Sequence, residues 1–194
     1  MTSPVSICSQ ALLLLGAQTI NSFDEPFDRA KIASNLYPDE KKALLRLHPW
    51  NCCIRRVVLA PEVTAPAFGY SHSFVLPGDC VRVLNVGDDY GWPEDYQVEG
   101  RRILYSGTVL PLRYVAEVDE SEWDDTLVRL MKLAMVAAMA YPITKSGTVA
   151  DGAKADFERE LKRARAIDGQ ENPPEEIVDS PLLAARRRDS DWCW

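Results

Sequence analysis

The stretch Leu44-Leu45-Arg46-Leu47-His48-Pro49-Trp50 constrains this chain more than any other. An apolar helical run meets a proline, which disfavours helical geometry in the residue before it, so the helix ends by about His48. Trp50 then opens Ile54 to Leu59, which reads as a strand. A helical layer hands over to a β layer at this junction. No residue set elsewhere announces a reaction, so architecture has to carry the argument.

Upstream, Thr2 or Ser3 caps a first helix, with Pro4 in its first turn and Gly16 just past its end. Val5, Cys8, Leu12 and Leu15 share one face, which Leu13 and Leu14 widen. A second helical region spans about 28 to 47, with Ala33, Leu36, Tyr37, Leu44 and Leu47 in helical period. Pro38 is expected to kink or split it, and Lys41 and Lys42 read as a solvated face.

From Ile54 to Val118 the hydrophobic period falls to two. Strands are predicted at Ile54 to Leu59, Ser73 to Leu76, Cys80 to Val86, Tyr96 to Val98, Arg102 to Tyr105 and Leu110 to Ala116. Pro77-Gly78 separates the second from the third, and Glu99-Gly100 is a hairpin turn. Pro111 is expected on an edge, because proline gives no ladder donor. An antiparallel sandwich or open barrel follows.

Helices then resume. Ser121 is the expected N-cap of a third helix, with Glu122, Asp124 and Asp125 at the positive end of its dipole, and the helix runs to about Tyr141. Beyond Arg129 only Lys132 interrupts its apolar character, so the other helices or a neighbouring subunit must cover it on every side. Leu127, Met131, Met135 and Met139 are the candidate core or subunit-contact stripe. A fourth helix, about 152 to 167, carries Phe157, Leu161 and Ala164 on one face and ends at Gly169. The remainder holds Pro173, Pro174 and Pro181 among acids, then Leu182, Leu183, Arg186, Arg187, Arg188, Trp192 and Trp194, and reads as a docking tail.

The fold class is therefore α+β. A four-helix bundle is expected from 1–50 and 119–169, an inserted small antiparallel β domain from 51–118, and an extended C-terminal tail from 170–194. Trp50 and Trp123 mark the helix–β seam.

Composition narrows the function. A net charge of −7 argues against duplex binding, which is built from clustered Lys and Arg. Five cysteines without metal-type spacing suggest reduced thiols, and no cofactor or metal is expected. The N-terminus has no basic region ahead of its apolar run, so no signal peptide is expected. The longest wholly apolar run, Leu133 to Tyr141, has nine residues against the roughly 20 a bilayer needs, so no membrane partner is expected.

Candidate chemistry is thin. His48 reads as a capping or packing histidine. His72 beside Ser71 and Ser73 fails as a nucleophile–base set, since neighbours on a strand point to opposite faces. Lys145-Ser146-Gly147 reads as a helix-to-helix turn; no Ser-x-x-Lys accompanies it. Asp88 and Asp89, or Glu94 and Asp95, could form an acid–base pair for glycoside chemistry, but they lie in a Gly- and Pro-containing loop where carboxylates are usually just solvated. No catalytic activity is expected.

An ordered set of motifs remains. Leu14 to Ala17 is followed by Ile20-Asn21-Ser22-Phe23-Asp24, then by Ala30, Ala33 and Tyr37 leading to Leu44-Leu45-Arg46 and His48-Pro49-Trp50. Leu76-Pro77-Gly78-Asp79-Cys80-Val81-Arg82-Val83, Tyr96-Gln97-Val98-Glu99-Gly100, Leu112-Arg113-Tyr114 and Trp123-Asp124 complete it. This succession, over roughly residues 4 to 168, resembles phage head–tail adaptor proteins of the tail tubular protein A type, found in short-tailed phages and in prophages.

The resemblance implies a helical bundle with an inserted β domain. It also implies a ring of about twelve copies, of the kind heterologous contacts close, beneath the portal protein. C-terminal tails would engage the portal, a tail nozzle or tube/terminator protein would attach on the other side, and double-stranded DNA would pass the lumen without specific binding. The location implied is the virion's head–tail junction, after synthesis in the bacterial cytoplasm. The alternatives are a virion-associated small hydrolase and a monomeric tail-completion factor.

Overall fold

The computed structural model describes residues 2–87 and 95–171. The fold is α+β, with four helices and two small antiparallel sheets. Helix α1 spans Pro4–Leu14, where Ser3 and Ser6 cap each other's backbone reciprocally and Gly16 turns the chain at φ 73°. Helix α2 spans Asp28–Leu47, and α3 and α4 span Asp125–Thr144 and Gly147–Glu171. Between α2 and α3 run β1 (Ile54–Leu59), β2 (His72–Val75), β3 (Cys80–Val86), β4 (Tyr96–Glu99), β5 (Arg102–Tyr105) and β6 (Leu110–Ala116).

Helix α3 is the centre of the helical layer, packing against α1, α2 and α4. By length and composition alone it could cross a membrane. In the fold, Leu127, Leu130, Met131, Ala134, Met135, Val136, Met139 and Ala140 are buried against its neighbours. Of the two covers the sequence allows for α3, its sibling helices bury these eight residues, and Tyr141 stays exposed.

One sheet has the order β1-β6-β3 and the other β2-β5-β4, every pair antiparallel. Phe74, Ile103, Leu110, Leu112 and Val86 are buried in the β region and belong to the same core cluster as the helices. In the β4–β5 hairpin Glu99 still pairs with Arg102, so the two-residue loop is Gly100-Arg101, with Gly100 at φ 59°. Glycine takes that left-handed position at no steric cost, and the type II′ hairpin places it first.

Several expectations are corrected. Pro111 lies in β6, the central strand rather than an edge. It is the second residue of that strand, paired with Val58 on one side, while the β3 ladder ends at Val86–Leu112. The donor it lacks thus falls where the ladder is already finishing. Pro38 does not split α2; it lies inside the helix on an exposed position, so the turn that loses its donor faces solvent. Gly169 does not end α4, which continues to Glu171.

The N-cap of α3 is Asp124 rather than Ser121, which lies in a short 3-10 turn, Glu120–Glu122. Asp124 Oδ1 accepts the Leu127 N–H at 2.6 Å. Asp124→Ala is expected to cost about 1 kcal/mol, lowering Tm by roughly 2–4 °C in a chain of this size. Thermal unfolding followed by circular dichroism checks it.

Candidate functional site

The helical and β layers meet at two chain crossings. At the first, His48 leaves α2 with extended backbone (φ −150°), and Trp50 folds back so that its indole N–H donates to the Leu44 carbonyl at 3.1 Å. Trp50 is 1% exposed, and the His48 ring meets it edge-on with centroids 4.7 Å apart. Asp168, near the end of α4, closes the crossing. Its Oδ2 lies 2.8 Å from His48 Nε2, its Oδ1 accepts the Asn51 backbone N–H at 2.9 Å, and its own carbonyl accepts from Asn51 Nδ2 at 2.7 Å. Arg165 donates to the Leu47 carbonyl, one of the orphaned acceptors at the α2 C-terminus.

At the second crossing the chain returns from β6 through the Glu120–Glu122 turn to Trp123. Glu120 Oε1 accepts from the Tyr37 hydroxyl and from Lys41 Nζ, each at 2.9 Å. Burial pushes the Glu120 carboxyl up, but hydrogen bonds from Lys41, its own backbone and Tyr37 outweigh this and hold it below the ordinary carboxylate value. Lys41 is therefore not a solvated residue like Lys42. The residue is nine-tenths buried, and its ammonium lies 5.4 Å from the centre of the Trp123 ring, where the π-face adds to the attraction. Arg55 on β1 reaches both carboxylate oxygens of Glu122 at 2.9 and 3.1 Å.

Two further contacts bind the β region to the helices and to itself. Arg46 at the end of α2 donates to the Val81 carbonyl at 2.7 Å. The Tyr114 hydroxyl lies 3.3 Å from both oxygens of Asp79.

The structure puts Trp50 and Trp123 at these two crossings, and Leu127, Met131, Met135 and Met139 inside the chain's own core, each 0% exposed. The tail residues Leu182, Leu183, Arg186, Arg187, Arg188, Trp192 and Trp194 lie outside the described residues, as do Asp88, Asp89 and Glu94. Asp95 accepts from the Tyr70 hydroxyl at 3.1 Å. Ser73 donates to Glu62 at 2.8 Å rather than to His72, whose buried Nδ1 has no partner among the described residues. Lys145 is the left-handed C-cap of α3 (φ 57°) and Ser146 Oγ accepts the Val149 N–H, so this tripeptide builds a turn.

Sequence reasoning missed Asp168, Glu120, Asn51 and the buried state of Lys41. Their partners lie 79 to 120 residues away, so no local pattern marks them. The chain matches no family model, and a search of curated proteins finds no relative.

Proposed function

We propose that this protein is a non-catalytic head–tail adaptor of a phage virion. In this reading its four helices act as a bundle that carries the β region as an insert. An extended C-terminal tail, residues 170–194, anchors the bundle on the portal. A ring of copies lengthens the DNA channel and offers a platform to the tail nozzle or tube.

The observation that carries the reading is where the scattered motifs of the resemblance meet. Arg46 of Leu44-Leu45-Arg46 holds the carbonyl of Val81, and Asp79 of the same later motif faces Tyr114 of Leu112-Arg113-Tyr114. His48-Pro49-Trp50 and Trp123-Asp124 form the two crossings themselves. Residues far apart in sequence thus join into one junction, which suits a scaffold that must keep a bundle and an insert at fixed orientation. Both crossings are closed by packing, capping and ion pairs.

The purified protein mixed with its portal should form a ring visible by electron microscopy. A monomer that persists with the portal present overturns the adaptor. Deleting residues 180 to 194 should leave the melting transition unchanged and abolish portal binding, since Trp and Arg are common energetic anchors of interfaces. A truncated chain that joins the portal normally shows that the tail is not the anchor. Weak attachment of each copy is expected to become firm through multivalency, so binding should steepen with ring formation.

A further inference from the structure

Cys52 and Cys53 stand side by side in the short turn Asn51–Cys53, their sulfurs 3.7 Å apart. The adaptor reading makes no use of them. Cys53 is fully buried, while Cys52 is partly exposed. Their surroundings differ from those of the other described thiols. Burial pushes the Cys8 thiol up to about 12, and burial likewise raises Cys80. Cys52 moves the other way: its hydrogen bond with Cys53 outweighs its partial burial, and a backbone hydrogen bond at Asp124 adds to it. Cys53, paired with Cys52 and buried, is raised.

From this pairing we infer that Cys52 is a peroxide-reactive thiol and Cys53 its resolving partner, together forming a reversible dithiol–disulfide site. The co-reactant is hydrogen peroxide. The Cys52 thiolate attacks one peroxide oxygen, the O–O bond breaks, and the departing hydroxide takes up a proton to leave as water, giving a sulfenic acid at Cys52. The Cys53 sulfur then attacks the Cys52 sulfur, the S–O bond breaks, and the Cys53 proton leaves with the hydroxyl as a second water. Two thiols are oxidised and one peroxide is reduced to two waters.

A reactive thiol needs access and thiolate character, and a resolving thiol needs proximity to it. The two cysteines divide those requirements between them. Neighbouring Cα atoms lie about 3.8 Å apart, closer than disulfides usually span, so small thiols should reopen the bond readily. The same turn carries Asn51, whose N–H holds Asp168, so closing the bond pulls directly on the last turns of α4.

The test is peroxide titration of the reduced full-length protein, followed by tryptic mapping. Both thiols fall in one peptide, residues 47–55. That peptide should become about 2 Da lighter before Cys8 or Cys80 reacts, and dithiothreitol should restore it. Cys53→Ser should stop at a Cys52 sulfenic acid that dimedone captures, and Cys52→Ser should leave Cys53 unmodified. Equal oxidation of Cys8 and Cys80, sulfinic acid at Cys52 with Cys53 still a thiol, or a disulfide from Cys52 to another cysteine overturns the inference. If the serine variants do not fold, the wild-type peptide masses alone decide it.

Discussion

Trp50→Ala should destabilise the protein by about 3–5 kcal/mol, the range for truncating a buried large aromatic. The indole is 1% exposed, its N–H is spent on the Leu44 carbonyl, and its face supports His48. Removing it opens a cavity where α2 becomes β1 and strips a helix-terminal carbonyl of its donor. Typical domains hold only about 5–15 kcal/mol in total, and for this length the loss amounts to roughly 6–20 °C in Tm. Trp50→Phe keeps most of the volume and loses the hydrogen bond, so it should fall between the two. A Trp50→Ala protein melting within a degree or two of wild type refutes the role given to this crossing.

Glu120→Ala should be comparably damaging, at about 3–5 kcal/mol, because it leaves a buried ammonium without its counter-charge. Lys41 and Glu120 side chains are only 11% and 9% exposed, so water cannot take over. The double variant Lys41→Met, Glu120→Leu should recover much of the loss, since apolar groups of similar volume often replace a buried ion pair at little cost. The pair also sets a pH dependence. The folded-state pKa of Glu120 lies below its ordinary 4.5, so its contribution is complete above that value and disappears as pH falls through the folded pKa. Denaturant titrations between pH 3 and 7 should show wild type losing stability on acidification more steeply than the double variant. Identical slopes would sink the assignment.

Secondary structure was largely legible in the sequence, and assembly was not. Period-two alternation bounded by Pro77-Gly78 and Gly100 places β1, β3, β5 and β6 on the predicted residues, with β2 one residue early. Which strands share a sheet depends on pairing across the whole β region: β6 reaches back to β1 over more than fifty residues and so becomes a central strand in spite of Pro111. Helix ends moved where tertiary partners intervened. Asp168 is fixed to His48 and Asn51 where α4 runs past Gly169, whereas the later start of α3 is local, set by Asp124 accepting the Leu127 N–H. The seam tryptophans were legible because a large aromatic at a change of period has to be buried. The clasp around Asp168 and the Glu120 pair were not, because a carboxylate on a polar helix face or in a turn carries no mark of a partner a hundred residues distant.

Ile54 and Val115 face each other in the β1–β6 ladder, so the chain leaves the helical layer and re-enters it at a single doorway. Surface connections beyond that doorway, such as 60–71 between β1 and β2, can lengthen or shorten without altering the spacing of the two threshold strands. The entropic cost of such changes is slight, about 0.6 kcal/mol for each doubling of an enclosed flexible loop. The outline of the β region at its turns can therefore vary while the doorway itself keeps its dimensions.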